Sequence, residues 1–143
     1  MKAKILLRLS AACLLFFAAG HSIGHFSRHN VTDPKAREIL KLMAENKFDM
    51  FGKMRSYDEN YTGMSLNLIF TLLALAAILW LISGITEKQP QFARNLLVPI
   101  ALCVFGFSIT SYLFFFTMPA VTCLLASMLI ALSIYKLREI NTI

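Results

Sequence analysis

All three histidines of this chain lie in one stretch, AAGHSIGHFSRHN, as His21, His25 and His29, each four residues after the last. On an α-helix this spacing places three imidazoles along one face. Two imidazoles one turn apart can converge on a single metal ion. The spacing therefore raises three possibilities: a metal site, a haem site, or the polar end of an apolar helix.

A metal site would need further ligands, and the acids that follow in the chain supply Asp58 and Glu59. The metal hypothesis thus takes His21, His25, Asp58 and Glu59 as its ligands. The sequence between the two histidines lacks the Glu of the zinc-helix motif, so it offers no general base of that kind. A haem is harder to place, because histidines on one helix face cannot bind opposite sides of one haem. No cofactor is required by these residues, and a metal ion or a haem stays open.

The composition indicates the helices that would carry these side chains. Of 143 residues, 57% are hydrophobic and 15% are charged, a balance typical of integral membrane proteins. Apolar runs predict four spans, over about residues 5–24, 66–85, 96–116 and 119–135, each close to the length that crosses a bilayer. We therefore expect an all-α, single-domain integral membrane protein of residues 1–143, folded as an antiparallel four-helix transmembrane bundle.

Positive charge sets the expected orientation of these spans. Cations cluster in three short segments on one side of the predicted membrane, and the positive-inside rule places that side in the cytoplasm. They are Lys2, Lys4, Arg8, Lys88, Arg94, Lys136 and Arg138. We expect a multi-pass protein of the cell inner membrane with both termini cytoplasmic. These cations are topological anchors without interleaved aromatic residues, which argues against nucleic-acid binding. Arg8 interrupts the first apolar run, which favours an uncleaved span over a signal peptide.

The outer loop of residues 25–65, between spans one and two, is the only sizeable polar segment. Thr32 or Asp33 followed by Pro34 is a helix start signal. The sequence KAREILKLMAENKF after it has apolar residues at helical spacing, which predicts an amphipathic helix. The stretch RSYDENYTG is polar and is predicted to be a turn that leads into span two.

Several polar side chains fall at one predicted depth near the outer face. His21 lies near the end of span one, Asn67 near the start of span two, and Tyr112 near the end of span three. Arg55 and Tyr61 of the loop would lie above them. Polar groups at membrane depth usually face a bundle interior, so we expect an outer-leaflet ligand pocket. The predicted ligand-binding residues are His21, His25, Asn67, Tyr61, Tyr112 and Arg55.

Gly20 and Gly24 form a small-xxx-small pair on span one. Such pairs allow two helix backbones to approach closely. We expect this face to pack inside the chain, with a homodimer through Gly20 and Gly24 as the alternative.

The combination of GHSIGH ending the first span and SYDENYTGMSLNLIF opening the second resembles a group of small, uncharacterised bacterial four-span inner-membrane proteins. On that pattern His21, His25, Tyr61 and Gly63 are the matching positions. The resemblance implies a four-helix bundle in an inner membrane and no particular activity.

Three functional hypotheses follow from the sequence. The first is an integral membrane protein that binds a small amphiphile, a lipid or a quinone, in the outer-leaflet pocket. The second is a metal- or haem-dependent membrane enzyme that uses His21 and His25. The third is a dimerising structural module of the lipid bilayer. The sequence does not decide whether the chain is an enzyme.

Overall fold

The structure, a computed structural model, describes residues 2–140. These residues form five helices and one two-stranded hairpin, and the fold is 82% helical, which confirms the predicted all-α class. In chain order the elements are α1 (Ala3–Ser27), α2 (Pro34–Glu45), β1 (Lys47–Met50), β2 (Lys53–Ser56), α3 (Tyr57–Ile85), α4 (Pro90–Phe114) and α5 (Thr117–Ile140).

Among the described residues, four helices are long and apolar enough to cross a membrane: α1, α3, α4 and the part of α5 over Thr117–Arg138. At about 1.5 Å per residue even the shortest exceeds a hydrocarbon core of about 30 Å. The predicted spans overlap these four helices. The largest difference is at α3, which begins at Tyr57 rather than at residue 66.

The early start of α3 corrects the prediction that RSYDENYTG is a turn. Ser56 and Glu59 form a reciprocal capping box at the first turn of the helix. The Ser56 amide donates to Glu59 Oε2 at 2.8 Å, and the Glu59 amide donates to Ser56 Oγ at 3.1 Å. Two backbone donors that lack helical partners are thereby satisfied, which stabilises a helix start in polar sequence.

The amphipathic helix expected in the loop is present as α2. Asp33 caps it, since Asp33 Oδ2 accepts from the Ala36 amide at 3.2 Å, and Pro34 occupies the first turn. The helix ends at Glu45, earlier than the predicted KAREILKLMAENKF segment, because the chain then enters the hairpin. None of the α2 residues is buried, and Ile39 and Leu42 are more than half exposed.

The β1–β2 hairpin was not predicted. Its strands pair antiparallel, with Met50 opposite Lys53 next to the tip. Phe51 and Gly52 form the tip with positive φ values of 53° and 82°, the pattern of the two central residues of a type I′ hairpin turn. The Gly52 amide donates to Asp49 Oδ1 at 2.9 Å and holds the turn.

The described chain divides into two compact units. One comprises the chain up to Ala18 together with the chain from Leu72 onward. The other, Ala19–Thr71, contains the end of α1, all of α2, the hairpin and the start of α3. Nearly all of the buried apolar side chains belong to the first unit, including Leu7, Leu14, Leu79 and Ile130.

Buried serines connect the helices of the first unit. Ser10 Oγ of α1 donates to the Ala126 carbonyl of α5 at 3.0 Å, and Ser108 Oγ of α4 donates to the Ala120 carbonyl of α5 at 2.9 Å. The second bond lies close to the two-residue link between α4 and α5, which pack as neighbours as that short link predicts.

A charged residue of the first unit also has partners. Arg8 Cζ lies 4.6 Å from the centroid of the Trp80 ring, and Arg8 Nε donates to Ser83 Oγ at 3.4 Å. The aromatic ring and the hydroxyl both reduce the cost of a cation within an apolar segment.

Candidate functional site

Polar side chains of the second unit gather where the end of α1 meets the start of α3. On one side lie His21 and His25 of α1 and Arg28, the residue that follows this helix. On the other side lie Asp58, Thr62 and Ser65 of α3. Each set occupies positions i, i+4 and i+7, which is one face of a helix. We call these six residues the α1–α3 seam.

Ser65 connects two histidines at one end of the seam. Its hydroxyl lies 2.9 Å from His25 Nδ1 and 2.8 Å from His21 Nε2, and only 6% of Ser65 is exposed. A hydroxyl carries one hydrogen, so with neutral rings Ser65 donates to one imidazole and accepts an N–H from the other. The two histidines are therefore coupled through one buried hydroxyl.

Arg28 organises the other end of the seam. Its Nη2 donates to Asp58 Oδ1 at 2.8 Å and to Thr62 Oγ1 at 2.6 Å, and its Cζ lies 5.0 Å from the centroid of the Tyr61 ring. The side chains of Arg28 and Asp58 are only 13% and 18% exposed. His29 Nε2 lies 3.6 Å from the same carboxylate oxygen. A cation and an anion thus neutralise each other in a largely desolvated position.

One donor of this arginine is unused. Arg28 Nη1 is buried and has no hydrogen-bond partner in the described part of the chain. An unpartnered buried N–H costs free energy. The guanidinium is held by the bonds of Nη2 and by Nε, which donates to His29 Nε2 at 3.0 Å.

A second polar feature of the same unit is an open groove of about 420 Å³ between the hairpin and α3. We call it the hairpin groove. Met50 and Arg55 of the hairpin line it, together with a run of α3 residues: Glu59, Asn60, Thr62, Gly63, Met64 and Asn67.

The groove contains hydrogen-bonding capacity that the fold does not use. Among residues 2–138, neither the Asn60 nor the Asn67 side chain has a partner. The two amides are two turns apart on α3, and Gly63 leaves space between them. A Cβ atom built at Gly63 would meet nothing within 4 Å. Two free amides are therefore presented along one wall of the groove.

The predicted ligand-binding residues fall into three places. Arg55 and Asn67 line the hairpin groove, and His21 and His25 belong to the α1–α3 seam. Tyr61 lies beside Arg28, and Tyr112 is 77% exposed on the α4 helix of the first unit. The second unit thus contains five of the six, divided between the hairpin groove and the seam with its surroundings.

The predicted metal ligands have other partners. Asp58 pairs with Arg28, and Glu59 pairs with Arg55 at 3.1 Å and with the Ser56 amide. Over the described residues, no group of three or more His, Cys, Asp or Glu side chains is arranged to hold a metal ion. The described residues therefore provide no set of ligands that would support the predicted metal site.

Gly20 and Gly24 do not pack closely inside the chain, which corrects the first expectation for this pair. Both are exposed, and a Cβ atom built at either would meet nothing within 4 Å.

Three seam residues were absent from the predicted site: Arg28, Thr62 and Ser65. The signal was in the sequence, because each joins a predicted residue at helical spacing. Arg28 is three residues after His25, and Thr62 and Ser65 are four and seven residues after Asp58.

Comparison of the chain with the models of known protein families, with curated proteins and with solved structures finds no match. The functional argument therefore depends on the site itself.

Proposed function

We propose that this chain is a multi-pass membrane protein that binds the head group of an amphiphile, a lipid or a quinone, in the hairpin groove. In this proposal α1, α3, α4 and α5 form an antiparallel four-helix bundle in the cell inner membrane. Both termini are cytoplasmic, because the short segments rich in Lys and Arg then lie inside. The four apolar helices support this arrangement.

The observation that carries the proposal is the pair of unpartnered amides, Asn60 and Asn67, on the groove wall. An unpaired amide on a helix that enters a bilayer is unfavourable unless a partner satisfies it. Amide N–H groups donate to carbonyl and phosphate oxygens, which the head groups of lipids and quinones provide.

The charge of the groove falls along its length, from an ion pair at one end to uncharged side chains at the other. Arg55 and Glu59 lie at the end near the first turn of α3, and Met64 and Asn67 lie further along the helix. From Glu59 to Asn67 the helix rises about 12 Å at about 1.5 Å per residue. This gradient suits a ligand with a polar head and an apolar tail, because the tail would follow α3 towards its apolar part.

The test is to identify what the full-length protein retains after purification in mild detergent. Organic extraction followed by mass spectrometry should recover an amphiphile at a fixed ratio to protein. Asn67→Leu should lower that ratio, since it removes one amide and fills part of the groove. Thr71→Val is the matched control, because Thr71 is exposed one turn further along α3 and outside the groove lining. Equal retention by both folded variants would contradict the proposal.

A second candidate function is homodimerisation through Gly20 and Gly24. It is supported by their exposure and by the open space where side chains would project. Gly24→Ile should then abolish a dimer seen by analytical ultracentrifugation in detergent. Gly84→Ile is the control, since Gly84 is also exposed with no neighbour within 4 Å. A dimer that survives Gly24→Ile would contradict this candidate.

A further inference from the structure

Phe51 at the tip of the hairpin is the most exposed large hydrophobic residue of the described chain, with a relative exposure of 104%. Its φ of 53° lies in the left-handed region, which is unfavourable for a bulky residue. Asn or Gly would adopt this turn conformation at lower cost. An exposed aromatic residue thus occupies a turn position whose left-handed backbone conformation is unfavourable for it.

The hairpin fixes the direction of this ring. Four residue pairs align β1 with β2, and the Gly52 amide donates to Asp49 Oδ1 within the turn. Met54 of β2 adds a second apolar side chain, 60% exposed. The apolar tip, which we define as Phe51 and Met54, therefore lies on a short hydrogen-bonded hairpin.

Basic side chains lie along the hairpin, and Lys53 is next to the apolar tip. The hairpin carries Lys47, Lys53 and Arg55 against a single acid, Asp49. Asp49 is engaged in the turn, and Arg55 is paired with Glu59. Lys47 and Lys53 are exposed and form no salt bridge within residues 2–138. Their charge complements an anionic surface.

The neighbouring helix α2 also combines exposed apolar side chains with basic residues. α2 contacts β2, buries none of its residues, and exposes Ile39 and Leu42 beside basic residues of its own. Exposed apolar side chains with a basic border are typical of segments that lie in the interface of an anionic bilayer.

We infer that the hairpin is a membrane-docking element, in which Phe51 and Met54 insert into the head-group region of an anionic phospholipid bilayer. Lys53, next to the tip, binds the lipid phosphates around them. The loop is joined at both ends to helices proposed to cross the bilayer, so a lipid surface is always within reach of it. The inference depends on the proposed membrane insertion of α1 and α3 and is independent of the groove.

The experiment places a fluorophore at the tip of the full-length protein. Trp80 is the single tryptophan of the chain, so Phe51→Trp in a Trp80→Phe background reports on one position. The protein is reconstituted in phosphatidylcholine nanodiscs with or without phosphatidylglycerol, and lipids with brominated chains serve as quenchers. Asn46→Trp in the same background is the control, since Asn46 is an exposed residue between α2 and β1.

Docking predicts a blue-shifted emission for Phe51→Trp and stronger quenching by brominated lipid than for Asn46→Trp. Adding Lys53→Gln should lower the ratio of docked to undocked hairpin about fivefold in the anionic disc, the usual effect of one basic residue at such a surface. Tip emission that matches the Asn46→Trp control would overturn the inference. Equal quenching with and without phosphatidylglycerol would overturn the assignment of an anionic surface. Recovery of the protein in the disc after an alkaline wash tests membrane insertion separately.

Discussion

Arg28 and Asp58 form an ion pair across 30 residues of sequence, with Arg28 Nη2 at 2.8 Å from Asp58 Oδ1. It joins the residue that directly follows α1 to the first turn of α3. Because both side chains are largely buried, solvent screens this pair less than it screens the other ion pairs of the unit.

Asp58→Asn should destabilise the protein by about 2 kcal/mol, because it leaves a largely buried guanidinium without its counter-charge. Thermal unfolding in detergent, followed by circular dichroism, measures the effect. Glu45→Gln is the matched control, since the Lys41–Glu45 pair is 71% and 61% exposed. Exposed pairs contribute about 0–1 kcal/mol. Equal losses for the two variants would show that burial does not strengthen the Arg28–Asp58 pair.

Ser65→Ala should cost about 1 kcal/mol, because it removes the hydroxyl shared by the partly buried rings of His21 and His25. Ser27→Ala is the control, since the Ser27 hydroxyl bonds only within its own helix, to the Ile23 carbonyl at 2.7 Å, and is exposed. Nitrogen NMR of the histidine side chains supplies a second measurement. When both rings are neutral, one of the two nitrogens that contact Ser65, His25 Nδ1 and His21 Nε2, should carry a proton and the other should not. Identical signals from these two nitrogens would contradict the hydroxyl bridge.

Glu59→Ala should destabilise the start of α3, because it removes one half of the capping box. Glu59→Gln should retain most of the stability, since an amide oxygen can still accept from the Ser56 amide. This variant loses only the exposed Arg55–Glu59 ion pair, at 50% and 44% exposure. Hydrogen exchange at residues 56–60 distinguishes the two roles. Equal protection in both variants would argue that the charge, rather than the cap, stabilises this turn.

Gly63→Ala should raise stability by about 0.5–1 kcal/mol, because alanine is favoured over glycine inside a helix and its Cβ meets open space. Gly63→Leu should fold as well but fill the hairpin groove between Asn60 and Asn67. Amphiphile retention should therefore be preserved by Gly63→Ala and lost with Gly63→Leu. Retention that is unchanged in Gly63→Leu would place the ligand elsewhere.

Much of the fold is predictable from the sequence, because long apolar runs and a strong cap are local signals. The four long helices and α2, with Asp33 and Pro34 at its start, required no knowledge of distant contacts. The start of α3 was missed although its capping box is also local, since Tyr57–Gly63 is polar and turn-like in composition. The hairpin was missed because its strands have four residues each, and Phe51 occupies a turn position where Asn is expected.

The candidate site was harder to predict than the fold, because its members come from two helices. Helical spacing groups His21 with Arg28 and Asp58 with Ser65, but it does not say which group faces the other. That pairing depends on how far each helix extends. With α3 predicted to begin at residue 66, Asp58 and Ser65 were assigned to a loop and could not be aligned with α1.

The seam also fixes the alignment of two helices along their axes. His21 and His25 meet Ser65 at one level, and Arg28 meets Asp58 and Thr62 at another. A slip of one helical turn, about 5.4 Å, would bring each histidine opposite a residue of the wrong kind and separate the charges. Apolar helix faces tolerate such slips because one methyl group resembles the next. The seam therefore favours one relative position of the end of α1 and the start of α3 along their helix axes.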